Sequence, residues 1–287
     1  MSTIAFLGLG AMGSRMARRL VEHGRTLIAW NRSPQPLAAL AALGARAAAS
    51  PRQAAQDADL VISMVADDAA ARAVWFDPHS GAAAGLKAGA VAVEMSTVTP
   101  AWIAELGAAV AARGAALVDA SVAGSLPAVE AGQLLVLMGG DAAAAETVKE
   151  ALAPLASGFR HFGPLGRGAR FKLALNHLLG AQIALMAEVL AGLAADGFDE
   201  KAAAEALAGA PVVSPAAALY GRLMAADRHD RQFAVDLMVK DLRYALQVGD
   251  AKSVKSPIAA GALAVFEQAS QAGLGEANAS SVRKLYP

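Results

Sequence analysis

A glycine-rich turn near the start of the chain constrains the fold more than any other feature. Residues 3–7 have the pattern of a short buried strand, and apolar residues at helical spacing follow from residue 16 onward. A glycine turn between a strand and a helix is typical of a βαβ unit that binds a dinucleotide. The residues of this turn, which we expect to contact a cofactor, are Gly8, Leu9, Gly10, Ala11, Met12 and Gly13.

Each glycine of the turn has a separate predicted purpose. Gly8 permits the tight turn, Gly10 lets a pyrophosphate approach the backbone, and Gly13 lets the helix pack closely on the strand. The start of the helix directs unpaired N–H groups and a partial positive charge at the phosphates. The alternative is a glycine turn without a ligand, which the strand-to-helix context disfavours.

The end of the second predicted strand, residues 26–30, indicates which dinucleotide binds. Cofactors without a 2′-phosphate usually meet an Asp or Glu there, whereas this chain has Asn31, Arg32 and Ser33. Arg32 can pair with a 2′-phosphate, and Asn31 and Ser33 can hydrogen-bond it. The alternative is a solvated Arg before a helix that begins at Ser33-Pro34. We favour the phosphate site and therefore predict NADP(H) over NAD(H).

Composition excludes several classes of function. Lys+Arg and Asp+Glu are equal at 25 each, so nothing suggests binding to nucleic acid or to an anionic membrane. Cysteine is absent, which excludes thiolate catalysis and disulfides and fits a reducing compartment. The five histidines show no HxH or HExxH spacing, so no metal site is expected, and no GxSxG motif suggests a serine hydrolase.

The distribution of apolar residues favours a cytoplasmic protein. The first residues enter a strand pattern directly, without a basic and apolar signal segment. The longest apolar helix, around residues 173–195, is interrupted by polar residues and therefore predicts a buried helix rather than a membrane span.

The pattern along the chain predicts an α/β fold in two domains. Residues 1–163 form a Rossmann-type, doubly wound and mostly parallel sheet, and residues 164–287 form an all-α C-terminal domain that begins with a long interdomain helix. Strands are predicted at 3–7, 26–30, 59–65, 90–95, 115–120, 133–138 and 159–162. Helices of the second domain are predicted at 169–195, 199–208, 215–226, 233–249, 257–273 and 276–285.

Three segments carry candidate chemistry. Lys172 and Asn176 share one face of the long helix among apolar neighbours, which suits proton transfer; a snorkelling Lys is the equally weighted alternative. Lys240-Asp241, taken alone, has the pattern of an ordinary solvated charge pair. Residues 119–125 follow a predicted strand, where a glycine lets backbone N–H groups converge on a carboxylate or oxyanion, unless the segment is a plain loop.

Taken in order, these motifs resemble the β-hydroxyacid dehydrogenase family. The resemblance rests on the glycine turn, Asn31-Arg32-Ser33, residues 119–132, residues 166–176 and the run from Lys240, and it covers essentially the whole chain. It is strongest to the NADPH-dependent glyoxylate/succinic semialdehyde reductases. The resemblance implies a small-molecule substrate, an NADPH cofactor and a homodimer or homotetramer.

The resemblance also implies residue roles. Lys172 would be the catalytic acid, and Asn176 would hold the substrate or Lys172. The substrate carboxylate would be bound by Ala123, Gly124 and Ser125, with Phe233 and Asp241 close to the substrate. Residues expected near the nicotinamide half of the cofactor are Met64, Val65, Ala66, Thr97 and Lys240.

Three departures from the family pattern concern the substrate. Ala123 stands where Ser is usual, Ser121 where Pro is usual, and His177 where Asn is common. The loss of the hydroxyl at Ala123 mildly favours an imine reductase of the same architecture, whereas Lys172 and Asn176 argue against it. A non-catalytic NADP-binding protein is a further alternative, although such a protein would not need Lys172.

Overall fold

The computed structural model describes residues 2–287 and divides the chain into two compact units. The first unit extends to Lys172, and the second is Leu173–Pro287. The first unit is a sheet with helices on both faces, and the second is helical. The predicted fold class, a Rossmann-type domain followed by a helical domain, is confirmed.

The sheet of the first unit has eight strands in the order β3-β2-β1-β4-β5-β6-β7-β8. β6 pairs antiparallel with β7, and the other neighbouring pairs are parallel. Each strand is short, and the strands are β1 (Ile4–Leu7), β2 (Leu27–Trp30), β3 (Arg46–Ala47), β4 (Leu60–Ser63), β5 (Val91–Glu94), β6 (Ala116–Ala123), β7 (Leu134–Gly140) and β8 (Ala156–His161).

The order 3-2-1-4-5-6 reverses direction between β1 and β4. In an open α/β sheet, ligands bind outside the carboxyl ends of the strands at such a switch point. The glycine turn follows β1 directly and therefore lies at this point. The fold thus places the predicted cofactor turn where the topology creates a crevice.

Alternating side chains of the strands enter two separate cores. In β1, Ile4 and Phe6 belong to one core and Ala5 and Leu7 to the other, and all four are fully buried. The first core includes residues of α1 (Ala11–Glu22), α2 (Gln35–Ala42), α6 (Leu126–Ala131) and α7 (Ala142–Leu152). The second includes residues of α3 (Pro51–Gln56), α4 (Asp68–Phe76) and α5 (Pro100–Ala111).

The sequence patterns missed strand β3. This strand has two exposed residues at the sheet edge, where Arg46 pairs with Ile28 and Ala47 with Ala29. A strand of two residues contains no alternation to detect, and its pairing with β2 is what defines it. Strand β8 also begins three residues before the predicted residue 159.

The second unit contains most of the long helix α8 (Arg167–Ala195) and four further helices. These are α9 (Glu200–Ala208), α10 (Pro215–Ala225), α11 (Val235–Asp250) and α12 (Pro257–Ala269). The helix predicted at 257–273 ends earlier, because a π-helical turn follows α12 and Gly273 adopts φ +83°. The helix predicted at 276–285 is a 3₁₀ helix over Ala279–Leu285.

Helix α8 exposes an apolar stripe. Leu178, Leu185 and Val189 are exposed and, at 100° per residue, lie on one side of the helix. The opposite side carries Ile183 and Ala187, which are fully buried in the core of the second unit. Within residues 2–287, α8 alone is long and apolar enough to cross a membrane, which is weak evidence because core helices pass the same test. The self-association and the lack of membrane binding both stay predictions.

A buried carboxylate orders the ends of β4 and β5. Glu94 is fully buried, and it accepts hydrogen bonds from Ser63 Oγ at 2.6 Å, Trp75 Nε1 at 3.0 Å and the Ser96 backbone N–H at 3.0 Å. Ser96 Oγ in turn accepts from the Val65 N–H at 2.8 Å. Burial raises the pKa of Glu94, and the hydrogen bonds that it accepts oppose this shift.

Substituting Glu94→Gln tests this raised pKa. The folded protein holds the proton of Glu94 to a higher pH than the unfolded chain, in which the carboxyl titrates near the ordinary value of 4.5. Its contribution to stability is therefore present below pH 4.5 and is lost as the pH rises through the raised pKa. Urea unfolding should show the variant gaining stability relative to wild type as the pH rises above 4.5. A constant difference would contradict the raised pKa.

Candidate active site

The glycine turn is fixed by close backbone contacts that no side chain would permit. Gly8 adopts φ +101°, and a Cβ there would lie 2.4 Å from the carbonyl oxygen of Met64. A Cβ on Gly13 would lie 2.1 Å from the carbonyl oxygen of Gly8, which is the close packing predicted for this position. A Cβ on Gly10 would meet nothing within 4 Å, so open space adjoins the turn at this residue.

This open space fits the pyrophosphate of a dinucleotide. Helix α1 begins immediately after Gly10, which provides no side-chain cap, and no acidic residue lies in its first turn. The first N–H groups of the helix therefore keep the capacity to bind an anion, supported by the helix dipole. The turn has both the room and the donors that the predicted cofactor needs.

Asn31 ties the glycine turn to the end of β2. Its Oδ1 accepts from the Leu9 N–H at 2.8 Å, and its Nδ2 donates to the Ser33 carbonyl oxygen at 2.9 Å and to Ser33 Oγ at 3.0 Å. Both ends of this amide are engaged. Arg32, the next residue in the chain, is exposed. Helix α2 begins at Gln35 with Pro34 as its N-cap residue, whereas the alternative of a solvated Arg placed the start of this helix at Ser33-Pro34.

The predicted nicotinamide-side residues lie at the same edge of the sheet. Met64 continues from β4, and its N–H donates to the Leu7 carbonyl oxygen at 2.9 Å. Val65 is held by Ser96, and Thr97 follows Ser96 after β5. Met64, Val65 and Thr97 are partly exposed, and Ala66 is exposed. The parallel strands thus bring the glycine turn and both of these segments together.

The segment predicted to bind a carboxylate begins inside a strand. Residues 119–123 belong to β6, so the expectation that residues 119–125 follow a strand is wrong. The strand continues because residues 118–123 pair with β7, a distant partner that local sequence does not reveal. Gly124 leaves the strand at φ +136°, and Ser125 is the N-cap residue of α6. Ala123 is partly exposed, and both Gly124 and Ser125 are exposed.

Lys172 lies near the start of α8 at this same edge. Asp119 of β6 pairs with Glu94, which is the last residue of β5. The Asp119 carboxylate also accepts a hydrogen bond from the start of α8. Lys172 follows one turn later and is half-buried. The neighbouring Phe171 stacks on Phe162 with ring centroids 4.3 Å apart. The first unit therefore brings the start of the helix that carries Lys172 to the edge that holds the cofactor turn.

A second polar cluster lies within the second unit. Asn176, which is 3% exposed, donates through Nδ2 to Asp241 Oδ2 at 2.5 Å, and Lys240 Nζ lies 2.9 Å from Asp241 Oδ1. Lys240 also lies over the Tyr244 ring, 5.2 Å from its centroid. Asp241 is 1% exposed, so the interpretation as an ordinary solvated charge pair is wrong. The amphipathic pattern of α11 did not reveal which of its polar residues turn inward.

Phe233 is held by a residue that the sequence did not single out. The Phe233 N–H donates to Asn278 Oδ1 at 3.0 Å, and its carbonyl oxygen accepts from the Ala279 N–H at 2.8 Å. Asn278 is buried, and its side chain also accepts from the Gln232 N–H. These contacts join segments 45 residues apart, and no local motif signals them.

The sequence analysis missed Glu94, and it included Asp119 in the candidate segment 119–125 without identifying it as a buried carboxylate. Each interrupts an apolar strand pattern, which is the one signal that could have identified them. A fully buried carboxylate needs several hydrogen-bond donors, so an acidic residue within a buried strand indicates a structural or functional network.

The fold and this edge define a class of protein. A dinucleotide turn at the switch point of a doubly wound sheet, with a Lys at the same edge, is the arrangement of an oxidoreductase that uses a nicotinamide cofactor.

Comparisons with known proteins identify the family. Residues 3–163 match the NAD binding domain of 6-phosphogluconate dehydrogenase, and residues 166–286 match the NAD-binding family of NADP-dependent 3-hydroxyisobutyrate dehydrogenase. An NAD-dependent L-serine dehydrogenase of Pseudomonas aeruginosa is 32% identical, with 100% of this chain and 98% of the relative covered. The chloroplastic glyoxylate/succinic semialdehyde reductase 2 of Arabidopsis thaliana is 31% identical, with 98% and 78% covered.

A solved structure agrees over the whole length. The crystal structure of 3-hydroxyisobutyrate dehydrogenase from Salmonella typhimurium has a TM-score of 0.90 and 30% identity, with 100% of both chains covered. The chain belongs to the β-hydroxyacid dehydrogenase family, and it is an oxidoreductase that uses a nicotinamide cofactor and acts on hydroxyl or carbonyl groups.

Proposed function

We propose that this protein is an NADPH-dependent reductase of short aldehyde acids or 2-oxoacids, which in reverse oxidises 3- or 4-hydroxyacids. The observation that carries the proposal is Lys172, on a helix that starts at the same sheet edge as the glycine turn and the segment of Ala123 to Ser125. Relatives that act on serine and on glyoxylate or succinic semialdehyde support a small substrate that carries a carboxylate.

The chemistry divides between the cofactor and the protein. When bound, the nicotinamide supplies a hydride for the carbonyl carbon. Lys172 donates a proton from Nζ to the carbonyl oxygen, so the oxygen does not accumulate a full negative charge. Backbone N–H groups of Gly124 and Ser125 hold the substrate carboxylate, with the Ser125 hydroxyl assisting.

The second unit contains polar side chains that are held in fixed orientations. Asp241 accepts from Asn176 and pairs with Lys240, so the carboxylate fixes both side chains. Asn176 is one turn from Lys172 on α8, which suits it to hold the substrate or the Lys. Phe233 and Asp241 would lie close to the substrate, and Lys240 would contact the cofactor.

The NADPH preference is tested at Arg32. A charge-assisted contact to the 2′-phosphate is worth about 1.5–3 kcal/mol. Arg32→Ala should therefore weaken NADPH roughly 10- to 100-fold in fluorescence titrations and leave NADH nearly unchanged. Arg52→Ala removes another exposed Arg of the same unit and should change neither affinity. Equal losses for both cofactors in Arg32→Ala would refute the phosphate site.

The acid role is tested at Lys172. General acid catalysis contributes about 10²- to 10⁴-fold, so Lys172→Ala should lower kcat by an amount in that range with little change in NADPH affinity. Arg170→Ala, an exposed cation on the same helix, serves as the matched control. If Lys172→Ala keeps more than half of its turnover, the proton comes from another group.

The substitution Ala123→Ser tests whether the substrate is a carbonyl compound with a carboxylate or an imine. One missing neutral hydrogen bond costs about 0.5–1.5 kcal/mol, so Ala123→Ser should raise kcat/KM for succinic semialdehyde or glyoxylate a few-fold to about tenfold. The substitution should do little for a cyclic imine, which lacks a carboxylate. The imine reductase reading replaces this one if wild type reduces cyclic imines faster than every aldehyde acid and Ala123→Ser alters neither.

A further inference from the structure

We propose that Asp119 is a positioning residue for Lys172, acting through the start of helix α8. The inference rests on the proposed function for the role of Lys172, but the contacts that carry it are contacts of the protein alone. Asp119 is a fully buried carboxylate in the middle of β6, and the chemistry described above does not use it.

The carboxylate binds the start of α8 with both oxygens. Its Oδ1 accepts from the Gly166 N–H at 2.7 Å, and its Oδ2 accepts from the Ala169 N–H at 2.7 Å. The first N–H groups of a helix have no partner within the helix, and a residue just before it usually provides one. Here the acceptor comes from a strand 47 to 50 residues earlier, so the cap also fixes the helix to the sheet.

Two glycines enclose the carboxylate. A Cβ on Gly139 would lie 2.6 Å from Asp119 Oδ1, and a Cβ on Gly168 would lie 2.8 Å from Oδ2 and 2.4 Å from the Leu137 carbonyl oxygen. The backbones of β7 and α8 therefore approach the Asp119 carboxylate so closely that only glycine fits at these two positions. A side chain at Gly139 or Gly168 would therefore displace the carboxylate or the start of the helix.

The position of Lys172 follows from this anchor. Lys172 lies three residues after Ala169, which is about 4.5 Å along the helix axis. A hydrogen-bonded helix transmits the position of its first turn to the next, and the negative charge of Asp119 stabilises that first turn. Phe171, the residue before Lys172, stacks on Phe162, and this contact also restrains the helix. The backbone of Lys172 is thus set by the hydrogen bonds of Asp119.

Asp119→Asn tests the proposal with the least change of shape. The amide keeps one acceptor oxygen, but its NH₂ group must face either the Gly166 or the Ala169 N–H, so one anchoring bond is lost. A displacement of about 1 Å at a reacting group can cost about 10²-fold in rate. We expect kcat to fall about 10- to 100-fold, with NADPH affinity within about threefold of wild type.

Asp141→Asn is the matched control. Asp141 caps α7 by accepting from the Ala143 and Ala144 N–H groups at 3.0 Å, and α7 carries no residue of the proposed site. This variant removes a negative charge from the start of another helix in the same unit, while its amide oxygen can still accept both bonds. It therefore controls for the loss of charge without the loss of an anchoring bond, and we expect its kcat to stay within about twofold of wild type. An equal loss of kcat in the two variants would mean that general destabilisation explains the effect.

A readout independent of turnover separates this proposal from the proposed function. The rate at which an amine-directed acylating reagent labels Lys172 can be followed by mass spectrometry, with exposed Lys201 as the internal reference. Asp119→Asn should change the labelling rate of Lys172 at least about threefold and shift the pH profile of kcat, whereas Asp141→Asn should change neither. A changed labelling rate without a loss of kcat would leave the positioning intact and refute the acid role of Lys172.

Two results would overturn the proposal. One is a folded Asp119→Asn protein, verified by circular dichroism, in which the labelling of Lys172 matches wild type. The other is a labelling change that Asp141→Asn reproduces. If Asp119→Asn does not fold, Asp119→Ser, which keeps a single acceptor oxygen, is subjected to the same comparison and the same two criteria.

Discussion

The parallel register of the central strands is the constraint on which the site depends. Leu7, Ser63, Glu94 and Asp119 lie level across β1, β4, β5 and β6, because hydrogen bonds join each strand to the next without a shift. Parallel strands end at the same edge, so the segments that follow them converge. The glycine turn and the loops after β4 and β5 meet for this reason, although they are far apart in sequence.

Strand β6 is longer than its parallel neighbours, and its extension carries the predicted substrate turn. It continues four residues beyond the end of β5 and pairs there with β7 in the antiparallel sense. The extension carries Ala123 and Gly124 past the edge of the parallel strands. The predicted substrate turn therefore lies at the end of a strand that is hydrogen-bonded to β7.

Two buried carboxylates hold the backbone at this edge. Burying an ionisable group is unfavourable unless hydrogen bonds compensate for the lost water. Glu94 and Asp119 both receive backbone N–H donors, from Ser96 and from Gly166 and Ala169, and burial raises the pKa of each while these bonds oppose the shift. These hydrogen bonds offset part of the cost of burial, and they also order the segments that lead to Thr97 and Lys172.

The sequence by itself determined the architecture, because the signals for it are local. Strand and helix periods, together with Gly8, Gly10 and Gly13, predicted the α/β fold and the dinucleotide turn, since each reflects a short-range steric or packing rule. The tertiary structure alone decided the edge strand β3, the length of β6, the burial of Asp241 and the partners of Asp119. These depend on strand pairing and hydrogen bonds between residues 12 to 65 positions apart, which no local pattern encodes.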